Sequence, residues 1–300
     1  MPQVKFKILQ PGQMSTLQDG GRIGYRSFGI PKSGFMDDIS ARQANWLVSN
    51  QIDHTLIEMI QVGGTIEFLT NARIALTGAD MEATLDGDSV DLNKSILTKT
   101  GQILKLGKAK VGMIGYLAVG GQWQVPEVLG SSSTYARAGL GGLVGLPLKR
   151  EDIITVEDDS DPRDRSLPEH EIRNNISGRK IRVLSGPESD DRSLSWLIGT
   201  SHRVSNQWDR MGIRLTSERK STEGGSILTS PVSIGTIQLP ADGNPIIIMA
   251  DGQTTGGYKR IATIIKADLP YLAQQPPFVE LRFKSVSHEE ALHIANWVSQ

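Results

Sequence analysis

The chain has 300 residues, with 32 Lys and Arg against 33 Asp and Glu, a formal net charge of −1 and no cysteine. So even a balance gives no global electrostatic footprint for nucleic acid or an anionic membrane. Without cysteine there is no thiol nucleophile, thiolate metal site or disulfide framework. The N-terminus MPQVKFKILQPGQ lacks the apolar core of a signal peptide. No run approaches the roughly 18 apolar residues of a membrane span, so a soluble, cytoplasmic protein is expected.

Short apolar runs between Gly, Asn and Asp punctuation predict a mainly β chain. In order they are TIEFLT, ARIALTG, SILTKTGQILKLG, VGMIGYLAVGG, KIRVLSG, IGTIQLP, NPIIIMA and FVELRFKSV. Three stretches read as short helices. DDISARQANWLVSN puts Ile39, Ala44, Leu47 and Val48 on one face, with Asp37 as N-cap. SDDRSLSWLIG is shorter, and SVSHEEALHIANWVSQ opens with the Ser287/Glu290 pattern of a capping box. Helices this few do not supply regular βαβ units, and barrels or sandwiches fit better.

The length suits about two domains. VEDDSDPRDRSLPEHEIRNNISGRK (156–180) is charged and nearly free of apolar residues, as a solvated linker is. The expected division is a β-rich domain over 1–160, a linker over 161–178 and a second β domain over 179–300. RIGYR (22–26) echoes RMGIR (210–214), and ANW occurs at 44–46 and 295–297. Two barrels built on one plan would give such echoes, and so would chance.

Standard catalytic motifs are missing. GQILKLGKA has one residue too many between its glycines for a phosphate loop, and Ala109 stands where Ser or Thr is needed. GLGGLVG (139–145) lacks a βαβ setting. The five histidines show no ligand spacing, so no metal is expected. Polar clusters in glycine-rich settings remain. TLQDGGRIGYRSFGIPKSGFMDD (16–38) carries Arg22, Arg26 and Lys32 beside Gln18, Asp19 and Asp37. Arginine forks there would read carboxylates or phosphates, or pin a surface loop. GSSSTYARAGLGG (130–142) sets four hydroxyls before Arg137, as a cradle for an anion or an exposed loop. NQWDRMGIRLTS (206–217) holds Asp209, Arg210 and Arg214. Finally, DGQTTGGYKRI (251–261) follows the strand NPIIIMA, and a hairpin through GTIQLPADGNP would bring Gln238 near Asp251 and Gln253.

These strings come in a recognisable order: TLQDGGRIGYRSFGIPKSGFMD, SSSTYARAGLGG, SGP (185–187), DRMGIRL and TSPVSIGTIQLPADGNPIIIMADGQTTGGY. The chain resembles the family of 5-oxoprolinase C subunits, also called biotin-dependent carboxyltransferase-like or allophanate-hydrolase-subunit-2-like. An antagonist of a sporulation kinase inhibitor is another member. The resemblance implies β-barrel domains, at least the C-terminal one cyclophilin-like. It implies two partners, a kinase-inhibitor-like protein (the B subunit) and a lactam-utilisation-like protein (the A subunit). Together the three would hydrolyse 5-oxoproline to L-glutamate with ATP, whose site in the complex this sequence does not locate. The alternatives are a regulator that binds a kinase inhibitor, and a carboxyltransferase-like subunit for urea or amide metabolism. The chain has no biotin-attachment MKM, so no covalent biotin is expected on it. It departs from the family pattern at Lys259, where Pro is expected after Tyr258.

On this resemblance Asp251, Gln253, Thr254, Thr255 and Tyr258 are the catalytic candidates. Arg22, Asp37, Arg137, Arg210 and Gln238 are the substrate-binding ones. Amide and carboxyl chemistry develops charge on a carbonyl oxygen, which preorganised donors stabilise. The rival reading makes DGQTTGGY a tight turn whose hydroxyls satisfy its own backbone.

Overall fold

A computed structural model describes residues 3–158, 163–172 and 178–298. It is mainly β, with 38% of residues in strands against 15% in helices. The chain divides into two compact units. One holds residues 1–22 and 33–175, the other 23–32 and 176–300.

The first unit carries β1 (Gln3–Gln10), β2 (Ser15–Gln18), β3 (Leu56–Ile60), β4 (Thr65–Phe68), β5 (Ala72–Asp80) and β6 (Thr84–Leu85). It continues with β7 (Asp88–Ser89), β8 (Ser95–Thr98), β9 (Ile103–Lys105), β10 (Val111–Val119), β11 (Gln122–Trp123) and β12 (Ile153–Glu157). One sheet runs β11-β12-β1-β4-β9-β6-β7 and a second β2-β3-β10-β5-β8. Alternation in β1 sends Val4, Phe6 and Ile8 inward and leaves Lys5 and Lys7 outward. Phe6 meets the Trp123 ring edge-on at 5.7 Å and Phe68 at 6.3 Å, at the centre of the core. The helix α1 (Asp38–Leu47) buries Ala41, Ala44 and Leu47, and Asp37 caps it by accepting from the Ser40 N–H at 3.1 Å.

Within the charged stretch, residues 163–172 dock on this first unit. Lys94 bridges to Ser166, Leu167 is buried, and Asp164 pairs with Arg73 at 2.6 Å. Arg165 lies over the Trp46 ring at 5.1 Å and donates to the Trp46 carbonyl. The rest of the expected linker, 161–162 and 173–177, lies outside the described residues.

The second unit carries β13 (Ile181–Ser185), β14 (His202–Trp208), β15 (Gly212–Ser217), β16 (Ser226–Pro231) and β17 (Thr236–Leu239). It ends with β18 (Ile246–Ile248), β19 (Thr255–Ile264), β20 (Glu280–Leu281) and β21 (Phe283–Ser285). Its sheet runs β20-β14-β15-β18-β17-β19-β13-β21, with β16 added on β19. The end strands β20 and β21 follow one another in the chain, separated by Arg282 alone, so the sheet forms a nearly closed barrel. Val183, Val204, Ile213, Ile237, Ile247, Ile261 and Phe283 fill it.

Asp268 and His202, both buried in this unit, are paired. Asp268, fully buried, accepts from the Arg182 backbone and guanidinium and from Arg179 at 2.6–3.0 Å. His202 lies between the Ser217 hydroxyl and the Leu197 carbonyl, each at 2.9 Å, and burial pushes its pKa down. The helix α2 (Asp191–Gly199) starts in a full capping box between Asp190 and Ser193. The helix α3 (Leu269–Ala273) follows Asp268. In α4 (His288–Val298) the Ser287 hydroxyl accepts from the Glu290 N–H, while the Glu290 carboxylate lies 3.8 Å from Lys284.

Candidate functional site

Strand β18 delivers Met249–Thr254 to the start of β19. The Met249 N–H donates to the Met211 carbonyl at 2.9 Å and the Asp251 N–H to the Arg210 carbonyl at 2.8 Å, lacing this segment to the β14–β15 turn. Asp209 shapes that turn, accepting from the N–H groups of Met211 and Gly212. Arg210 Nε and Nη2 then donate to the two carboxylate oxygens of Asp251 at 2.9 and 3.0 Å, and both residues are buried. The expected cleft partners Arg210 and Asp251 are thus engaged with each other, as an anchor for the strand end.

The string that the rival reading makes a tight turn runs into strand from Thr255 onward. Thr255 begins β19, and Gly256 and Gly257 are extended within it, neither with a positive φ. Gly256 serves close approach instead: a Cβ there would collide with the side-chain nitrogen of Gln238, reaching over from β17. Gln238 pairs with Ile246 in the β17–β18 hairpin, as expected, and is 1% exposed. Its Oε1 accepts weakly from Gln253 Nε2 at 3.4 Å, and its Nε2 is buried with no hydrogen-bond partner. Gln253, Thr255 and Tyr258 are exposed, and Thr254 is half-buried with its carbonyl accepting from the Val232 N–H at 3.0 Å. A buried amide with unspent donors stands beside an exposed amide and hydroxyls. Such an arrangement suits a carbonyl or carboxylate oxygen.

The first unit holds the remaining candidates. Arg22 is 1% exposed and donates to the carbonyls of Val128 and Ser133. Asp37, beyond capping α1, donates its N–H to the Tyr116 hydroxyl at 2.8 Å, and that hydroxyl donates to Glu58 at 2.9 Å. Burial, followed by the Glu58 and Asp37 charges, pushes the Tyr116 phenol well above its ordinary range. Arg137 is exposed on the one-turn helix Ala136–Ala138. The hydroxyl string does cradle an anion, and the anion is internal. The Asp19 carboxylate accepts from the Ser131, Ser132 and Ser133 hydroxyls and from the Gly21 and Ser132 N–H groups, at 2.5–3.1 Å. Burial opposes its ionisation, but these bonds outweigh burial and hold the carboxyl below its usual range.

A cavity of about 420 Å³ in the second unit lies apart from Gln238, lined by Ser201, Arg203, Thr216, Ser217, Glu218, Glu280 and Arg282. Glu280 and Arg282 already pair across it at 2.9 Å. Among the described residues no group of His, Asp and Glu is arranged to hold a metal, and no helix is long and apolar enough to cross a membrane.

A family model described as carboxyltransferase domain, subdomain A and B, matches residues 28–285. The C subunit of 5-oxoprolinase from Escherichia coli (strain K12) is 40% identical over 291 residues, covering 96% of this chain and 93% of that protein. The C subunit of 5-oxoprolinase from Haemophilus influenzae is 35% identical over 294 residues, covering 95% of this chain and 92% of that protein. Among solved structures, K. lactis urea amidolyase superposes with a TM-score of 0.89 at 29% identity over 97% of this chain. The chain spans only 19% of that enzyme's length. By the family model and by similarity along nearly its whole length, the chain belongs to the carboxyltransferase-domain family of 5-oxoprolinase C subunits.

Proposed function

We propose that this protein is the C subunit of an ATP-dependent 5-oxoprolinase. It acts in the cytoplasm with the A and B subunits to hydrolyse 5-oxoproline to L-glutamate, and is inactive alone. The full-length similarity to proteins named as 5-oxoprolinase C subunits carries this reading. The Gln238–Gln253 site supports it. Opening a lactam places negative charge on the carbonyl oxygen, and an amide N–H held rigidly in a buried setting stabilises that charge without reorganising. Gln238 is held in that way, between β18 on one side and the bare Cα of Gly256 on the other. The sequence has no phosphate loop and no G-x-S-x-G elbow, so ATP and the activating chemistry are assigned to the partner proteins.

Transfer of a carboxyl group is the second reading, favoured by the likeness to urea amidolyase. The same donors would serve it, since a carboxyl oxygen carries the charge there too.

Lactam-dependent ATP hydrolysis by the three co-expressed proteins, with each omitted in turn, tests the proposal. Activity is expected only with all three present. Gln253→Ala and Thr254→Ala are each expected to lower it, by up to about 10²–10³ if the residue is an oxyanion donor, with melting and assembly of the complex unchanged. Full turnover by the isolated chain, or undiminished activity without it, would overturn the proposal.

A further inference from the structure

Among the described residues of the second unit, three N–H donors are buried without an acceptor, those of Arg26, Trp208 and Gln238, and the first and last share a neighbour. Arg26, on the one-turn helix Arg26–Phe28, donates through Nη2 to the Val232 carbonyl, while its Nη1 is buried and unpartnered. Gln238 Nε2 is the second donor of this pair. Val232 joins them, because its Cγ1 would lie 3.3 Å from a Cβ built on Gly256, in the space that Gln238 Nε2 already fills. The neighbouring cations are answered. Arg260 forks onto Glu188 and gives its remaining Nη1 to the Pro231 carbonyl, and Arg210 forks onto Asp251. Among the described residues no carboxylate lies within ion-pair distance of Arg26, and burial lowers its guanidinium pKa.

We propose that Arg26 Nη1 and Gln238 Nε2 are paired donors of one binding site for the carboxylate of a small molecule. A guanidinium and a primary amide both donate in the plane of the group. A carboxylate offers two coplanar oxygens, and its single negative charge matches the charge of Arg26, which no carboxylate among the described residues answers. A water bridging the donors would satisfy the hydrogen bonds and leave the charge unmatched. The site rests on the 5-oxoprolinase reading only for its ligand: 5-oxoproline bears such a carboxylate, so Arg26 and one N–H of the Gln238 amide would hold the acid group of the substrate, while the second N–H of Gln238 and the exposed Gln253 face the lactam carbonyl.

Calorimetric titration of the full chain with acetate, with 5-oxoproline and with 2-pyrrolidinone, the same lactam without its acid, tests this. Both carboxylates are expected to bind at millimolar concentration, and 2-pyrrolidinone is expected not to compete. Arg26→Gln and Gln238→Met should each weaken carboxylate binding about tenfold or more, with Arg26→Lys recovering part of the loss. Gly256→Ala, which displaces the Gln238 amide without touching Arg26, should weaken it too, so the test survives if another variant fails to fold. Absence of binding by the wild-type chain, or affinities unchanged in all variants, would overturn the site. So would a crystal soaked in acetate with water alone between the donors. Reconstituted activity is scored separately. An active complex whose KM for 5-oxoproline ignores Arg26→Gln defeats the site and spares the 5-oxoprolinase reading. Carboxylate binding in a chain that never reconstitutes activity does the reverse.

Discussion

Arg210 and Asp251 are joined three times: two guanidinium N–H groups reach the carboxylate at 2.9 and 3.0 Å, and the Asp251 N–H reaches the Arg210 carbonyl at 2.8 Å. The pair fixes the β14–β15 turn against the end of β18, and so fixes where β19 begins. Removing the carboxylate takes the fork away from a guanidinium that is 2% exposed. Breaking such a buried pair costs about 3–5 kcal/mol. Asp251→Ala should therefore lower the urea midpoint sharply, and the double change Arg210→Met with Asp251→Leu should recover much of the loss. A wild-type midpoint in Asp251→Ala would remove the anchor from the account.

Asp19 makes stability depend on acid. Its folded pKa lies below the ordinary 3.8, because hydrogen bonds from Ser131, Ser133, Gly21 and Ser132 overcome burial. A depressed folded pKa contributes stability that is complete above the unfolded value and lost as pH falls through the folded one. Asp19→Asn should be less stable at neutral pH and should lose less stability below about pH 4 than the wild type. Urea unfolding at a series of pH values measures both, and matching acid slopes would exclude Asp19 as a source.

The two adjacent glycines of β19 should behave differently. A Cβ on Gly256 meets the Gln238 amide, whereas one on Gly257 comes no nearer than 3.5 Å to any atom. Gly256→Ala should cost about 1–3 kcal/mol, as overpacking does. Gly257→Ala should stay within about 0.5 kcal/mol of wild type. Equal effects in thermal melts would mean that Gln238 does not hold its position over Gly256.

Tyr116 should be silent to base. Its hydroxyl bridges the Asp37 N–H and the Glu58 carboxylate, and burial keeps the phenol protonated well above the usual range. Tyr116→Phe should leave the tyrosinate absorbance curve of the folded protein unchanged. It should still cost about 1–3 kcal/mol, since the Asp37 N–H loses this acceptor. A phenol missing from the normal titration would show that Tyr116 ionises in the folded state.

What could be read in the sequence, and what could not, follows from the range of each interaction. The alternation in ARIALTG and VGMIGYLAVGG is local, and β5 and β10 form there. The Asp37 cap depends on Ser40, three residues on, and was equally legible; a substrate-binding role for Asp37 calls on the same residue type, and sequence could not separate the two. The serines at 131–133 announced an anion, but its identity, Asp19, lies more than a hundred positions upstream. Gly256 and Gly257 looked like a bend because glycine freedom is judged locally. Their surroundings depend on β17 and β16, which pairing alone brings alongside. Arg26 stood among the cations of its loop with nothing to distinguish it, because its partner carbonyl is 206 residues away. In the charged stretch, the burial of Leu167 and the stacking of Arg165 depend on Asn93 and Trp46, which composition cannot reveal.

Residues 23–32 count with a unit whose remaining chain starts at 176. A ribosome adding about 5–20 residues per second completes that short segment on the order of ten seconds before the rest of its unit begins to emerge. The second unit is therefore assembled from pieces made at different times, and no single cut returns it whole. A fragment starting at 176 would lack Arg26, and the complementary fragment would carry Arg26 with no Val232 to receive it. Expressed as separate halves, the protein could regain that contact only by reassociation, so fragment complementation would report on it directly.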